Sequence, residues 1–208
     1  MSGSATRALS RSLLDLCRMR KLTIATAESC TGGLVAAALT EIPGSSDVVD
    51  RGFITYSNEA KHAMLGVETS TLETFGAVSK ETAIAMAFGA LENGDVDLAV
   101  SITGIAGPGG ATPGKPVGLV HIAVAARDGR INHREYRFGA VGRSNVRQQS
   151  AIEALKMLME MARGPQPPIK RPRAAAHRLR PRVSRTPRRT AGKRRRTSRP
   201  SAPRASDS

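Results

Sequence analysis

The chain has 208 residues, enough for one ordinary domain and some additional chain. Its formal charge of +15 is unevenly placed: Gly164–Ser208 holds 15 Lys and Arg against the single acid Asp207, leaving 17 basic and 16 acidic residues before it, so the basic balance belongs to the tail and says nothing about the domain. Two cysteines, Cys17 and Cys30, exclude a disulfide framework and fit a reduced, cytosolic setting, while the longest mostly apolar run, Val117–Ala126, is too short to span a bilayer.

In chain order, Leu9, Leu13, Leu16 and Cys17 fall on one face of an amphipathic helix. Leu22–Ala27, short, apolar and partly β-branched, reads as a buried strand. Thr31 is a cap for a helix over Leu34–Ile42, which Pro43-Gly44 stops. Val48–Ser57 reads as a second strand with Val49, Phe53 and Ile54 as core candidates, and Asn58 as the cap of a short helix closed by Gly66. Thr82–Leu91 is alanine-rich and helical, ending at Asn93-Gly94, and Asp97–Thr103 is a third strand that runs directly into a glycine-rich loop. Val117–Ala126 and Ile131–Phe138 flank the turn signal Asp128-Gly129 and form a hairpin. A last helix, with Val146, Ser150, Leu155 and Leu158 inside it, ends near Arg163. Helices that alternate with strands early, followed by a late hairpin, indicate an α/β domain with a mixed sheet covered on both faces. The domain spans Met1–Arg163. The tail, Gly164–Ser208, is rich in proline and has almost no large apolar side chain, so it reads as disordered. No charged-then-apolar secretory pattern stands at the N-terminus.

Three segments carry chemistry. Ser29 sits between a strand and a helix, where the N–H groups of Thr31, Gly32 and Gly33 would hold an oxyanion or a phosphate. The alternative is a simple cap and turn. Lys61, four residues into the short helix, would serve as a base if burial kept it neutral; the alternative is a solvated lysine. Ser57, four residues before Lys61, is a rival nucleophile, and so is Cys30, with His62, His121 and His133 as candidate partners that spacing does not separate. The loop Thr103–Gly110 exposes backbone N–H groups after a strand, a place suited to an anion, yet matches neither a Walker A sequence nor a dinucleotide fingerprint. Neither zinc-ligand spacing nor paired carboxylates are evident.

Ala27–Gly33, Arg51–Lys61, Gly76-Ala77-Val78-Ser79, Ser101–Gly110 and Lys115-Pro116-Val117-Gly118 together resemble the CinA C-terminal domain family, over about Leu9 to Arg163. Its enzymatic members are nicotinamide-nucleotide amidohydrolases. The resemblance implies a three-layer α/β/α domain with a mixed, mostly parallel sheet. It implies hydrolysis of nicotinamide mononucleotide to nicotinic acid mononucleotide and ammonia with no metal and no cofactor. The family's serine–lysine pair falls on Ser29 and Lys61, and its supporting hydroxyls on Ser46 and Tyr56. Oxyanion and substrate contacts fall on Cys30, Thr31, Gly32, Gly33, Thr103, Gly104, Gly107, Gly109, Arg143 and Arg147. The chain departs from the family pattern at Val141–Arg147, where both arginines remain but an acidic residue is absent. It also lacks the N-terminal domain of longer members, which is similar to the stand-alone amidase form. Self-association is a further implication.

Two other readings stand beside this one. A nucleotide-binding domain without turnover is the first. The second is a tail that binds polyanions weakly and without sequence preference through runs such as Lys193-Arg194-Arg195-Arg196.

Overall fold

The computed structural model describes residues 2–165. The basic tail expected to be disordered therefore lies outside the described residues, apart from Gly164 and Pro165.

Helix α1 (Ser2–Arg20) precedes strand β1 (Ile24–Glu28) and helix α2 (Leu34–Thr40). A 3-10 turn (Ser45–Asp47) leads into β2 (Val49–Ile54), followed by α3 (Asn58–Leu65), α4 (Thr69–Phe75) and α5 (Lys80–Gly94). Strands β3 (Leu98–Gly104), β4 (Leu119–Ala126) and β5 (Ile131–Arg137) then precede α6 (Arg143–Arg163). The sheet has five strands in the order β2-β1-β3-β4-β5. β1 pairs in parallel with β2 and β3, and β4 pairs antiparallel with β3 and β5. β4 alone runs against the others. Helices α1, α2 and α6 lie on one face and α5, with α3 and α4, on the other, which gives three α/β/α layers.

Alternation along the strands makes the two faces unlike. Ile24, Leu98, Val100, Ile102, Val120, Ile122 and Val124 present bulky side chains to the α1–α6 layer. Ala25, Ala27, Ala99, Ala123 and Ala125 face α5 and let that helix approach closely. α5 in turn offers Gly89 to α3, where a Cβ would lie 1.9 Å from the carbonyl oxygen of Leu65. A small residue at this point is what lets α3 settle onto α5.

Several local expectations need correction. Asn58 does not cap α3; the Ser57 hydroxyl accepts the N–H of Ala60 instead. Thr31 does not cap α2, because its buried hydroxyl has no partner and the Glu28 carboxylate takes that role. Ile54 is not core: β2 is an edge strand and the Ile54 side chain is 54 % exposed. Helix α4, a seven-residue threonine-rich segment, carries too weak an apolar period to be read from sequence. No helix among the described residues is long and apolar enough to cross a membrane.

Candidate active site

β1 and β2 are parallel, so their C-terminal ends share one edge of the sheet. Ser29 follows directly on β1, and its N–H is held by the carbonyl of Ile102 on β3. Thr55 follows β2 and donates its N–H to the carbonyl of Glu28. Two residues later the Ser57 cap opens α3, and Lys61 lies one turn in, on the face turned toward the core. Gly66, in the left-handed region at φ 67°, closes the helix by bonding to the carbonyl of His62.

The Nζ of Lys61 lies 3.1 Å from the Oγ of Ser29 and 2.8 Å from the carbonyl oxygen of Thr55. Lys61 is 1 % exposed and has no carboxylate hydrogen-bonded to it. Burial therefore lowers its pKa from the ordinary lysine value. The counterweights are the charges of Cys30 and of exposed Glu59. Burial pushes the Cys30 thiol itself up to about 12, so it carries no charge near neutrality. The amine donates to the Thr55 carbonyl and to the Ser29 Oγ, and at this distance its neutral form is within reach of the serine proton.

Around this pair lies a cleft of about 240 Å³. Ser29, Cys30, Tyr56, Lys61, Thr103, Gly104, Gly107, Gly109 and Arg143 all line it. Of the expected site residues these nine converge. Thr103 is fixed by donating its hydroxyl to the carbonyl of Ala77, 2.7 Å away. Arg143, the first residue of α6, donates to the carbonyl of Gly107 at 3.0 Å and to the Tyr56 hydroxyl at 2.7 Å. It is held there without the acidic residue expected before it, and α6 begins with no side-chain cap. Lys61 and Arg143 are the basic side chains in the lining, which includes no carboxylate.

Other expected contacts are placed differently. Ser46 lies exposed on the 3-10 turn that precedes β2, and so at the opposite edge of the sheet from Ser29; one chain alone does not bring them together. Arg147 does not face the cleft; it donates to the carbonyls of Cys30 (3.1 Å) and Thr31 (2.7 Å) and braces the turn from behind. Gly33 offers no free N–H, because Glu28 accepts it at 2.9 Å, and Gly32 gives its N–H to the carbonyl of Ser29. Within the turn this leaves the N–H groups of Cys30 and Thr31 with no backbone partner among the described residues, with Cys30 on the cleft wall. Tyr56 does not touch Lys61; its hydroxyl is engaged by Arg143.

The rival nucleophiles are also placed. The Ser57 hydroxyl is occupied as a helix cap. His121 and His133 bond to each other on the β4–β5 hairpin and His62 to the carbonyl of Val67, so none serves Cys30. No group of three or more His, Cys, Asp or Glu side chains able to hold a metal occurs among the described residues. Sequence reasoning missed two contributors. One is the backbone carbonyl of Thr55, which no residue type announces. The other is Glu28, a buried acid five residues before a helix N-terminus, and that placement was the available signal.

The cleft thus lies at the C-terminal edge of a mixed sheet inside three α/β/α layers. The CinA C-terminal domain pattern matches residues 6–162, and the chain belongs to that family. A protein of Enterobacter agglomerans named nicotinamide-nucleotide amidohydrolase PncC is 52 % identical over 130 residues, covering 62 % of this chain and 79 % of that one. A putative competence-damage inducible protein of Caldicellulosiruptor bescii is 49 % identical over 146 residues, covering 70 % of this chain and 35 % of the relative. The chain spans between a third and two fifths of the length of several such curated relatives. Among solved structures, the competence/damage inducible protein CihA from Agrobacterium tumefaciens is similar with a TM-score of 0.74 and 54 % identity, over 75 % of this chain and 94 % of that one. A CinA superfamily protein from Enterobacter cloacae is similar with a TM-score of 0.72 and 30 % identity, over 76 % and 92 %.

Proposed function

We propose that this protein hydrolyses the carboxamide of nicotinamide mononucleotide to nicotinic acid mononucleotide and ammonia, with Ser29 as nucleophile and Lys61 as its base. The single observation that carries the reading is the 3.1 Å approach of the buried Lys61 amine to the Ser29 hydroxyl. The relative named for this reaction supports the substrate.

In the reaction, Ser29 Oγ attacks the carboxamide carbon while its proton passes to neutral Lys61. The negative charge that forms on the amide oxygen meets the N–H group of Cys30 on the cleft wall. Collapse expels ammonia, which takes its proton from Lys61. Water then attacks the acyl-serine, gives its proton to Lys61, and the acid leaves as Ser29 is restored. Arg143 and the Gly107–Gly110 loop hold the phosphate, a role supported by a cleft lined with basic groups and no carboxylate. Both cysteines are free and buried, in keeping with work in a reducing cytoplasm. The experiment is ammonia release from the mononucleotide, with Ser29→Ala as control. Turnover that survives this substitution rejects the assignment.

A further inference from the structure

We infer that Glu28 and Arg147 are a pair of positioning residues that fix the oxyanion-binding turn from its two ends; this rests on the amidase reading for its substrate but not for its geometry. Glu28 is fully buried. Its two carboxylate oxygens accept three backbone N–H groups at the start of α2: Gly33 at 2.9 Å, Val35 at 3.2 Å and Ala36 at 2.9 Å. Arg147, from α6, donates through Nε to the carbonyl of Cys30 and through a terminal nitrogen to that of Thr31.

The four-residue turn from Ser29 to Gly32 is thus pinned by an anion on its helix side and by a cation on its carbonyls. With the carbonyls of Cys30 and Thr31 turned to Arg147, the N–H groups of Gly33, Val35 and Ala36 claimed by Glu28 and that of Gly32 given to the Ser29 carbonyl, the turn itself keeps the N–H groups of Cys30 and Thr31 without a partner on another residue. Gly32 supplies the left-handed backbone that the turn needs, at a φ of 58°, while a Cβ there would stand in ordinary contact with the Arg147 guanidinium at 3.5 Å. Glu28 also fills the positive end of α2 with the protein's own charge, so a substrate phosphate finds its partner at Arg143 and not at this helix. Neither residue touches the cleft. Both act through the backbone that carries Ser29.

The test uses the full chain and two readouts. A fluorophosphonate probe reports Ser29 and its oxyanion site without reference to the substrate: Ser29 Oγ bonds to phosphorus, fluoride leaves, and the serine proton passes to Lys61. Glu28→Gln keeps shape but puts an amide N–H₂ against at least one backbone N–H, and Arg147→Lys replaces the two-pronged contact with one. Displacing the turn by a fraction of an ångström to about 1 Å should slow labelling and kcat by roughly 10- to 100-fold. KM should stay within about threefold, and the acid limb of the pH profile, set by Lys61, should not move. The double variant should be no worse than the worse single one, since the two hold one element. Folded variants that label at the wild-type rate overturn the inference. If Glu28→Gln does not fold, Arg147→Lys decides alone. Wild-type protein that labels at Ser29 but leaves the mononucleotide intact rejects the proposed substrate while the labelling rates still judge the clamp. Folded wild-type protein that does not label rejects both.

Discussion

The amine of Lys61 reaches Ser29 because Thr55 stands between them: its N–H binds the carbonyl of Glu28, one residue before the serine, and its carbonyl accepts the lysine. The pair is therefore tied to the β1–β2 register and not to the flexibility of a long side chain. A one-residue slip of β2 would separate them.

Burial of Lys61 predicts a pH dependence of rate. The base must be neutral, so kcat rises with pH through the Lys61 pKa, and that midpoint lies below the ordinary lysine value of 10.5. Lys61→Arg should lower kcat by roughly 10³-fold or more, because arginine does not deprotonate in the accessible range. A pH–rate profile of both proteins checks this. An acid limb at or above 10.5 would contradict it.

The same burial predicts a stability effect of defined sign. The unfolded lysine binds its proton up to about 10.5, whereas the folded one has already released it at lower pH. Across that window the unfolded state holds more protons, so stability increases with pH, and the cost of burial is complete below the folded pKa. Lys61→Met removes the titrating group and should flatten the slope of unfolding free energy across the window. Urea titrations at several pH values measure it, and an unchanged slope would refute the account.

Gly89→Ala tests how α3 is placed. Alanine gains about 1 kcal/mol of helix propensity over glycine, but its Cβ would meet the Leu65 carbonyl oxygen at 1.9 Å, backbone against side chain. Overpacking of this kind costs about 1–3 kcal/mol and should win. A lower urea midpoint is expected, together with lower kcat as α3 moves Lys61 outward. A raised midpoint would show that α3 is free to shift.

Cys30 should be unreactive in the folded protein. Its thiol is pushed up to about 12 by burial, so iodoacetamide at pH 8 should modify it far more slowly than a free thiol. Mass spectrometry of the native and denatured protein distinguishes the cases, and rapid alkylation of the native form would count against the placement.

The tail is proposed to act apart from the site. Ending the chain after Pro165 keeps the contacts of Arg20 with Gly164 and of Arg130 with Pro165. This truncation should leave kcat and KM unchanged while abolishing salt-sensitive retention on heparin. A changed kcat would tie the tail to catalysis.

Much of this arrangement was legible in the residues. The runs that became β1, β3 and β4 are apolar and bounded, and Asp128-Gly129 marked the hairpin. Ser29 and Lys61 were legible as residue types at a strand end and on a short helix, and their union needed only the parallel pairing of two strands. What sequence hid has one physical cause: partners far apart in the chain. Arg143 and Tyr56 meet across 87 residues and Arg147 and Cys30 across 117, through the packing of α6 against the sheet. The exposure of Ile54 depends on β2 being an edge, which an apolar run does not report.

The most direct test of the Ser29–Lys61 assignment is ammonia release from nicotinamide mononucleotide by the wild-type chain beside Ser29→Ala, with both shown to be folded. Turnover by the wild type and a loss of at least about 10³-fold in the variant are expected. Equal release by the two proteins would contradict it.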